Sequence, residues 1–169
     1  IISVTGFGGA WAVEVDVTDQ NGDPVTGLAN DDLGFTVATL IPAFGDVSTD
    51  DFVPAYWYSY IQSLKTKVAG VGTMPDGTVR GQPGYERGDT SGASISEVDG
   101  TYTFTFNTDP GADGMYDAAN THRVGVYLRH FSPIYASDTF DFVVTGYPGT
   151  PDTRELVDNS ACDSCHGEL

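Results

Sequence analysis

The residues best suited to chemistry lie together at Cys162-Asp163-Ser164-Cys165-His166. Cys-x-x-Cys-His is the attachment signal for a c-type haem. Two thiols at this spacing reach the two vinyl groups of the porphyrin and bond to them covalently. The next residue, His166, then falls beneath the iron as its axial ligand. Haem c is therefore the cofactor expected, on Cys162, Cys165 and His166.

Other uses of the two cysteines fit less well. A thioredoxin-like redox pair wants a helix start inside a βαβ unit, and nothing around Cys162 reads that way. A structural zinc site usually takes four protein ligands. The chain holds only 2 cysteines and 3 histidines, and two of those histidines lie far upstream. A plain disulfide across a tight loop stays open.

The surface these residues sit on is acidic. In 169 residues there are 7 Lys+Arg against 24 Asp+Glu, a net charge of −17. Such a surface repels nucleic acid, because phosphate binding needs Lys and Arg. It favours solubility, cationic partners and metal ions. Hydrophobic residues at 40% and aromatics at 12% supply a core for a globular domain. No run of about 18 apolar residues is present, so no transmembrane segment is expected. The chain has no initiator Met and opens on Ile1-Ile2-Ser3-Val4, which reads as a mature or trimmed product.

The elements that must position the motif are mostly strands. Trp11, Val13, Val15 and Val17 alternate with polar or small residues, the period of a half-buried strand. Leu33, Phe35, Val37 and Thr39 share one face of a second strand. Tyr102, Phe104 and Phe106 define a third, Val124, Val126 and Leu128 a fourth, and Phe140, Phe142 and Val144 a fifth. Tyr56 to Leu64 is aromatic-rich. Its spacing Trp57, Tyr60, Ile61, Leu64 predicts a short helical face or an irregular packed segment, more for core packing than for electron relay. Residues 66–94 read as a surface excursion rich in Gly, Thr and Ser, holding Lys67, Arg80 and Arg87. The fold class predicted is mainly β: an antiparallel β-sandwich or Greek-key barrel over 1–147. Residues 148–169 follow as a linker and haem-attachment segment, the start of a haem domain. Too few residues surround the motif for a compact haem domain, so the chain is expected to be a fragment.

Asp19-Gln20-Asn21-Gly22-Asp23-Pro24 is turn chemistry. The alternation of Asp19, Asn21 and Asp23 also leaves a calcium site open, although the glycine is two places early for an EF-hand. Asp109 to Asn120 is a second acidic turn region.

Several stretches, in order, resemble one family. They are Val17-Thr18-Asp19-Gln20-Asn21-Gly22-Asp23-Pro24-Val25-Thr26-Gly27-Leu28, Trp57-Tyr58-Ser59-Tyr60-Ile61, Asp99-Gly100-Thr101-Tyr102-Thr103-Phe104 and Thr121-His122-Arg123-Val124. Arg154-Glu155-Leu156-Val157-Asp158 then leads into the Cys-x-x-Cys-His-Gly stretch. Together they are similar to the N-terminal region of the OmcA/MtrC-type extracellular multihaem cytochromes, across nearly the whole chain. The resemblance implies a haem-free β-sandwich-like domain preceding a haem domain. It also implies electron transfer at the outer cell surface, after export through the periplasm. The chain departs from that pattern in carrying one haem motif where the family carries many.

The resemblance further implies a second histidine capping the iron, which suits electron transfer and closes the iron to substrates. His122 and His130 are the candidates here. Met74 and Met115 are weaker ones, and a histidine outside this sequence is favoured over all four. Carboxylates nearby should stabilise the oxidised iron and lower its potential. The partners expected are other haem domains or redox cytochromes, with a homo-oligomer or filament joined through sheet edges as a further option. No arrangement nominates an open sixth position with a distal acid, so haem peroxidase activity is not expected. The competing reading is a secreted β-sandwich adhesion or assembly module whose Cys-x-x-Cys is a disulfide.

Overall fold

The computed structural model describes residues 1, 3–48, 50–66, 79–129, 136–144, 146 and 149–152, with the backbone alone at 65–66 and 79–80. Among them are ten strands and no α-helix. The strands are β1 (Ser3–Thr5), β2 (Ala12–Asp16), β3 (Leu33–Ile41), β4 (Tyr56–Ser59), β5 (Gln62–Thr66), β6 (Val79–Pro83), β7 (Ser94–Val98), β8 (Thr101–Thr105), β9 (His122–Leu128) and β10 (Ser137–Phe142). One sheet has the order β1-β2-β8-β7, and a second has the order β10-β9-β3-β4. All pairings are antiparallel. Strands β5 and β6 form a separate antiparallel hairpin. The two sheets face one another as a sandwich. Neither closes on itself, so of the two architectures expected the sandwich is the one formed.

Period-two alternation explains which side chains fill the space between the sheets. Val13 and Val15 point inward from β2, and Tyr102 and Phe104 from β8. Leu33, Phe35, Val37 and Thr39 point inward from β3, all nearly fully buried. The threonines flanking Tyr102 and Phe104 face the other side, where β-branched polar residues suit a pleated, half-exposed surface. At the centre Phe35 lies flat on Phe104, ring centroids 4.1 Å apart.

Two connections are held by specific chemistry. Strands β7 and β8 are joined by Asp99-Gly100, with φ of 52° and 84°. Both central residues thus take the left-handed region that a two-residue type I′ hairpin requires. The segment after β6 is pinned by Glu86. Its backbone exchanges hydrogen bonds with Phe35 at 2.8 and 2.9 Å. Its buried carboxylate accepts from the Asn107 and Thr108 amides at 2.7 and 3.0 Å, and from the Thr108 hydroxyl. A carboxylate is tolerated in such a place only when its lone pairs are met in this way.

The structure corrects one local expectation. Tyr56 to Leu64 is not helical. Tyr56–Ser59 joins β3 as an edge strand, and Gln62 starts the hairpin. Leu64, placed on the predicted helical face, is 75% exposed. Tyr-Trp-Tyr has high strand propensity, and pairing with the long β3 overrides the short helical spacing. The excursion at 66–94 is likewise more structured than read, since its described part supplies β6, the Glu86 pin and the start of β7.

Candidate functional site

The last described residue is tied to the sandwich. The Asp152 amide donates to Thr121 Oγ1 at 2.6 Å, fastening the start of the tail beside the first residue of β9. Cys162, Cys165 and His166 follow on that tail and lie outside the described residues, as do His130 and Met74.

His122 sits on the other face of the same strand. It is in phase with Val124 and Val126, so its ring points inward, and it is 0% exposed. Strand register places Phe142, His122, Thr39 and Tyr58 in one row across β10, β9, β3 and β4. The opposite sheet contributes Trp11, which meets the imidazole edge-on with centroids 5.3 Å apart. Tyr60, Tyr116 and Phe142 complete the surround at 6.0, 5.4 and 5.8 Å. Nε2 lies 3.1 Å from the Tyr60 hydroxyl. Nδ1 is buried without a hydrogen-bond partner of good geometry. The Asn120 backbone carbonyl favours the charged ring.

These surroundings set the protonation states. Burial pushes His122 down from 6.5 to about 4, against the weaker pull of the Asn120 carbonyl and the Asp117 carboxylate. The imidazole is therefore neutral at neutral pH. Burial drives the Tyr60 phenol well above its ordinary value, partly offset by the Thr39 hydroxyl. Tyr58 is raised too, first by burial and then by the Asp113 charge. The Tyr58 hydroxyl donates to Asp113 Oδ2 at 3.3 Å, and its ring lies 6.0 Å from that of Tyr60. Two phenols thus lie side by side, Tyr58 donating to Asp113 and Tyr60 within hydrogen-bond distance of His122 Nε2. To cap a haem from this position His122 would have to leave its aromatic surround and release Tyr60.

The remaining candidates are apart from this cluster. Asp19 Oδ1 accepts from the Asn21 and Asp23 amides at 2.8 and 3.0 Å, and Oδ2 from the Asn21 side chain at 3.2 Å. Those bonds hold the Asp19 carboxyl below its usual range and make the segment an Asx turn. Among the described residues no group of three or more His, Cys, Asp or Glu is placed to hold a metal. Met115 is 38% exposed in the acidic turn region. A separate cavity of about 660 Å³ lies between the sheets, lined by Val15, Val17, Leu28, Leu33 and Val126. Asp19 alone of the predicted site residues borders it.

Sequence reasoning placed His122 at a strand start but missed that its side chain points inward. The signal was present: His122, Val124, Val126 and Leu128 share one period-two phase. The pairing with Tyr60 depends on β9 and the end of β4 flanking β3 in one sheet and had no local signature.

The fold has counterparts among solved structures. The outer membrane decaheme cytochrome OmcA matches with a TM-score of 0.73 and 27% identity over 96% of this chain. The fold is of the OmcA/MtrC type. MtrC from Shewanella baltica OS185 matches with a TM-score of 0.63 and 20% identity over 95% of the chain. The chain spans about a quarter of each of those proteins, 25% of the first and 24% of the second. No family model matches the chain, and neither does any curated protein. No helix among the described residues is long and apolar enough to cross a membrane.

Proposed function

We propose that this chain belongs to an electron-transfer cytochrome of the outer cell surface, not an enzyme. Residues 1–147 would form its haem-free β domain and 148–169 the start of a haem-bearing segment. Cys162 and Cys165 would hold haem c by thioether bonds, and His166 would be the proximal ligand. The observation that carries the reading is the match to OmcA over 96% of the chain, in a sequence that also holds Cys-x-x-Cys-His. Two thiols and an imidazole at this spacing fit covalent haem, which supplies an iron that cycles between Fe(II) and Fe(III). The distal ligand would come from outside the described sandwich, because His122 is buried and already faces Tyr60.

The β domain would act as spacer and docking surface, with other haem domains or redox cytochromes as partners. At net charge −17 it would steer toward cationic surfaces and away from nucleic acid and anionic lipid. Export through the periplasm fits covalent haem attachment outside the cytoplasm.

Expression in a host that matures c-type cytochromes tests the proposal. The expected product is red, with a Soret band and a haem-sized mass gain that survives denaturation and is lost on Cys162→Ser/Cys165→Ser. A colourless chain whose two sulfurs are joined to each other overturns it and leaves an adhesion or assembly module.

A further inference from the structure

We propose that Tyr60 and His122 form a proton-coupled redox pair, with Tyr58 and Asp113 as a second pair nearer the surface. A one-electron oxidant removes an electron from the Tyr60 phenol. The Oη–H bond breaks, a new N–H bond forms at His122 Nε2, and the products are a neutral tyrosyl radical, an imidazolium and the reduced oxidant. The oxidant class is a high-valent iron–oxo haem or, as a laboratory probe, a photogenerated Ru(III) polypyridyl complex. The inference does not depend on the tail carrying haem.

The geometry supplies each requirement. Removing an electron alone from a phenol in this apolar surround would leave a buried cation, which low dielectric penalises heavily. A base within hydrogen-bond reach lets the proton leave with the electron. His122 Nε2 is 3.1 Å from the hydroxyl, and in the tautomer that carries its proton on Nδ1 that nitrogen accepts. The Tyr60 phenol is 5% exposed as a residue, so water does not compete as the acceptor. Packing alone would be met by one buried Tyr–His bond. It does not call for a second phenol beside the first that carries a carboxylate partner of its own. Tyr58 provides this, with its ring 6.0 Å from Tyr60 and its hydroxyl on Asp113. Tyr58 is half-buried and gives an external oxidant a point of entry, from which the hole passes inward. Trp11 touches both the imidazole and the Tyr60 ring edge-on, extending the oxidisable cluster into the other sheet. A cluster of this kind would serve as a sink for stray oxidising equivalents.

The test uses the full 169-residue chain, with Ru(III) generated by flash-quench and the radical trapped by rapid freezing for EPR. Ring-deuterated tyrosine identifies the signal. The expected result is a tyrosyl radical formed more slowly in D2O, with a yield that falls severalfold in Tyr60→Phe. Tyr58→Phe should slow its arrival without changing its final identity. His122→Phe should lower the yield and abolish the isotope effect. Should that variant not fold, Tyr60→Phe and the isotope effect in the unaltered chain decide the matter. A full yield in Tyr60→Phe, a radical on Trp11 alone, or equal rates in H2O and D2O overturns the proposal.

Discussion

Keeping His122 neutral makes the stability of this domain pH-dependent in a way that can be worked out. The native ring titrates at about 4 and the unfolded ring at 6.5. Above 6.5 both states hold a neutral ring, and His122 adds no pH dependence. Between 6.5 and 4 the unfolded chain binds a proton that the native chain does not, so stability falls as pH falls. The slope is about 1.4 kcal/mol per pH unit. Across the whole window the loss has a ceiling of about 3 kcal/mol, a large share of a typical domain's stability. Many carboxylates titrate in the lower part of the same window, and Asp19 and Asp46 are held below their usual range by local hydrogen bonds. The measurement therefore has to be a difference. The reference is the double variant His122→Phe/Tyr60→Phe, which removes both hydrogen-bonding partners and keeps an aromatic ring at each position. Replacing both partners in this way can be close to neutral, whereas His122→Phe alone would strand the Tyr60 hydroxyl. Urea unfolding of both chains from pH 7.5 to 4 gives the difference curve. It should be flat above about 6.5 and fall by about 3 kcal/mol toward pH 4. A flat curve throughout, or an imidazole that titrates by NMR at its ordinary value in the folded chain, would refute the reasoning.

Three further substitutions test the supports of the fold. Glu86→Ala removes a buried carboxylate that satisfies two amides and a hydroxyl. It should cost about 3 kcal/mol in urea unfolding, with Glu86→Gln recovering part of the loss. Gly100→Ala puts a Cβ where φ is +84° and Pro24 Cβ would be 2.6 Å away. It should cost about 2 kcal/mol, read as a lowered melting temperature, while Asp99→Gly at the neighbouring site should cost much less. Thr121→Val removes the acceptor of the Asp152 amide. The Asp152 amide should then exchange about fivefold faster, the equivalent of about 1 kcal/mol, while β8 protection stays unchanged.

The inward faces of the sandwich were legible because a buried sheet face enforces a period of two. Leu33, Phe35, Val37 and Thr39 could be assigned together on that ground, and all four are buried. Thr39 shows the strength of the rule, since its phase outweighed its polarity. The same rule applied to His122 would have placed it inside. Read alone, His122 is a surface or structural residue near a strand end, and the structure makes it a buried one. Tyr56 to Leu64 was misread because a nine-residue stretch can satisfy a helical spacing by chance. Only the neighbouring β3 decides that Tyr56–Ser59 is extended, and that neighbour is a tertiary fact. Strand β7 was missed for a related reason. Ser94–Val98 has one apolar inward residue, Ile95, and its place is fixed by the Asp99-Gly100 turn that folds it onto β8.

What the sequence could not convey is how one strand serves two purposes. Just before β9, Thr121 accepts the amide of Asp152 and so anchors the last described residue. One residue later, His122 sends its ring into the row shared with Phe142, Thr39 and Tyr58. Thr39 also donates to the Thr121 carbonyl at 3.4 Å, so the tail anchor and the imidazole row share a hydrogen-bonded neighbour. A change in the packing of the row thus has a short route to the tail, through Thr39 and the backbone of Thr121. If Cys162 and Cys165 hold a haem as proposed, the chain leading to it is last anchored at Asp152, beside a neighbour of the aromatic row.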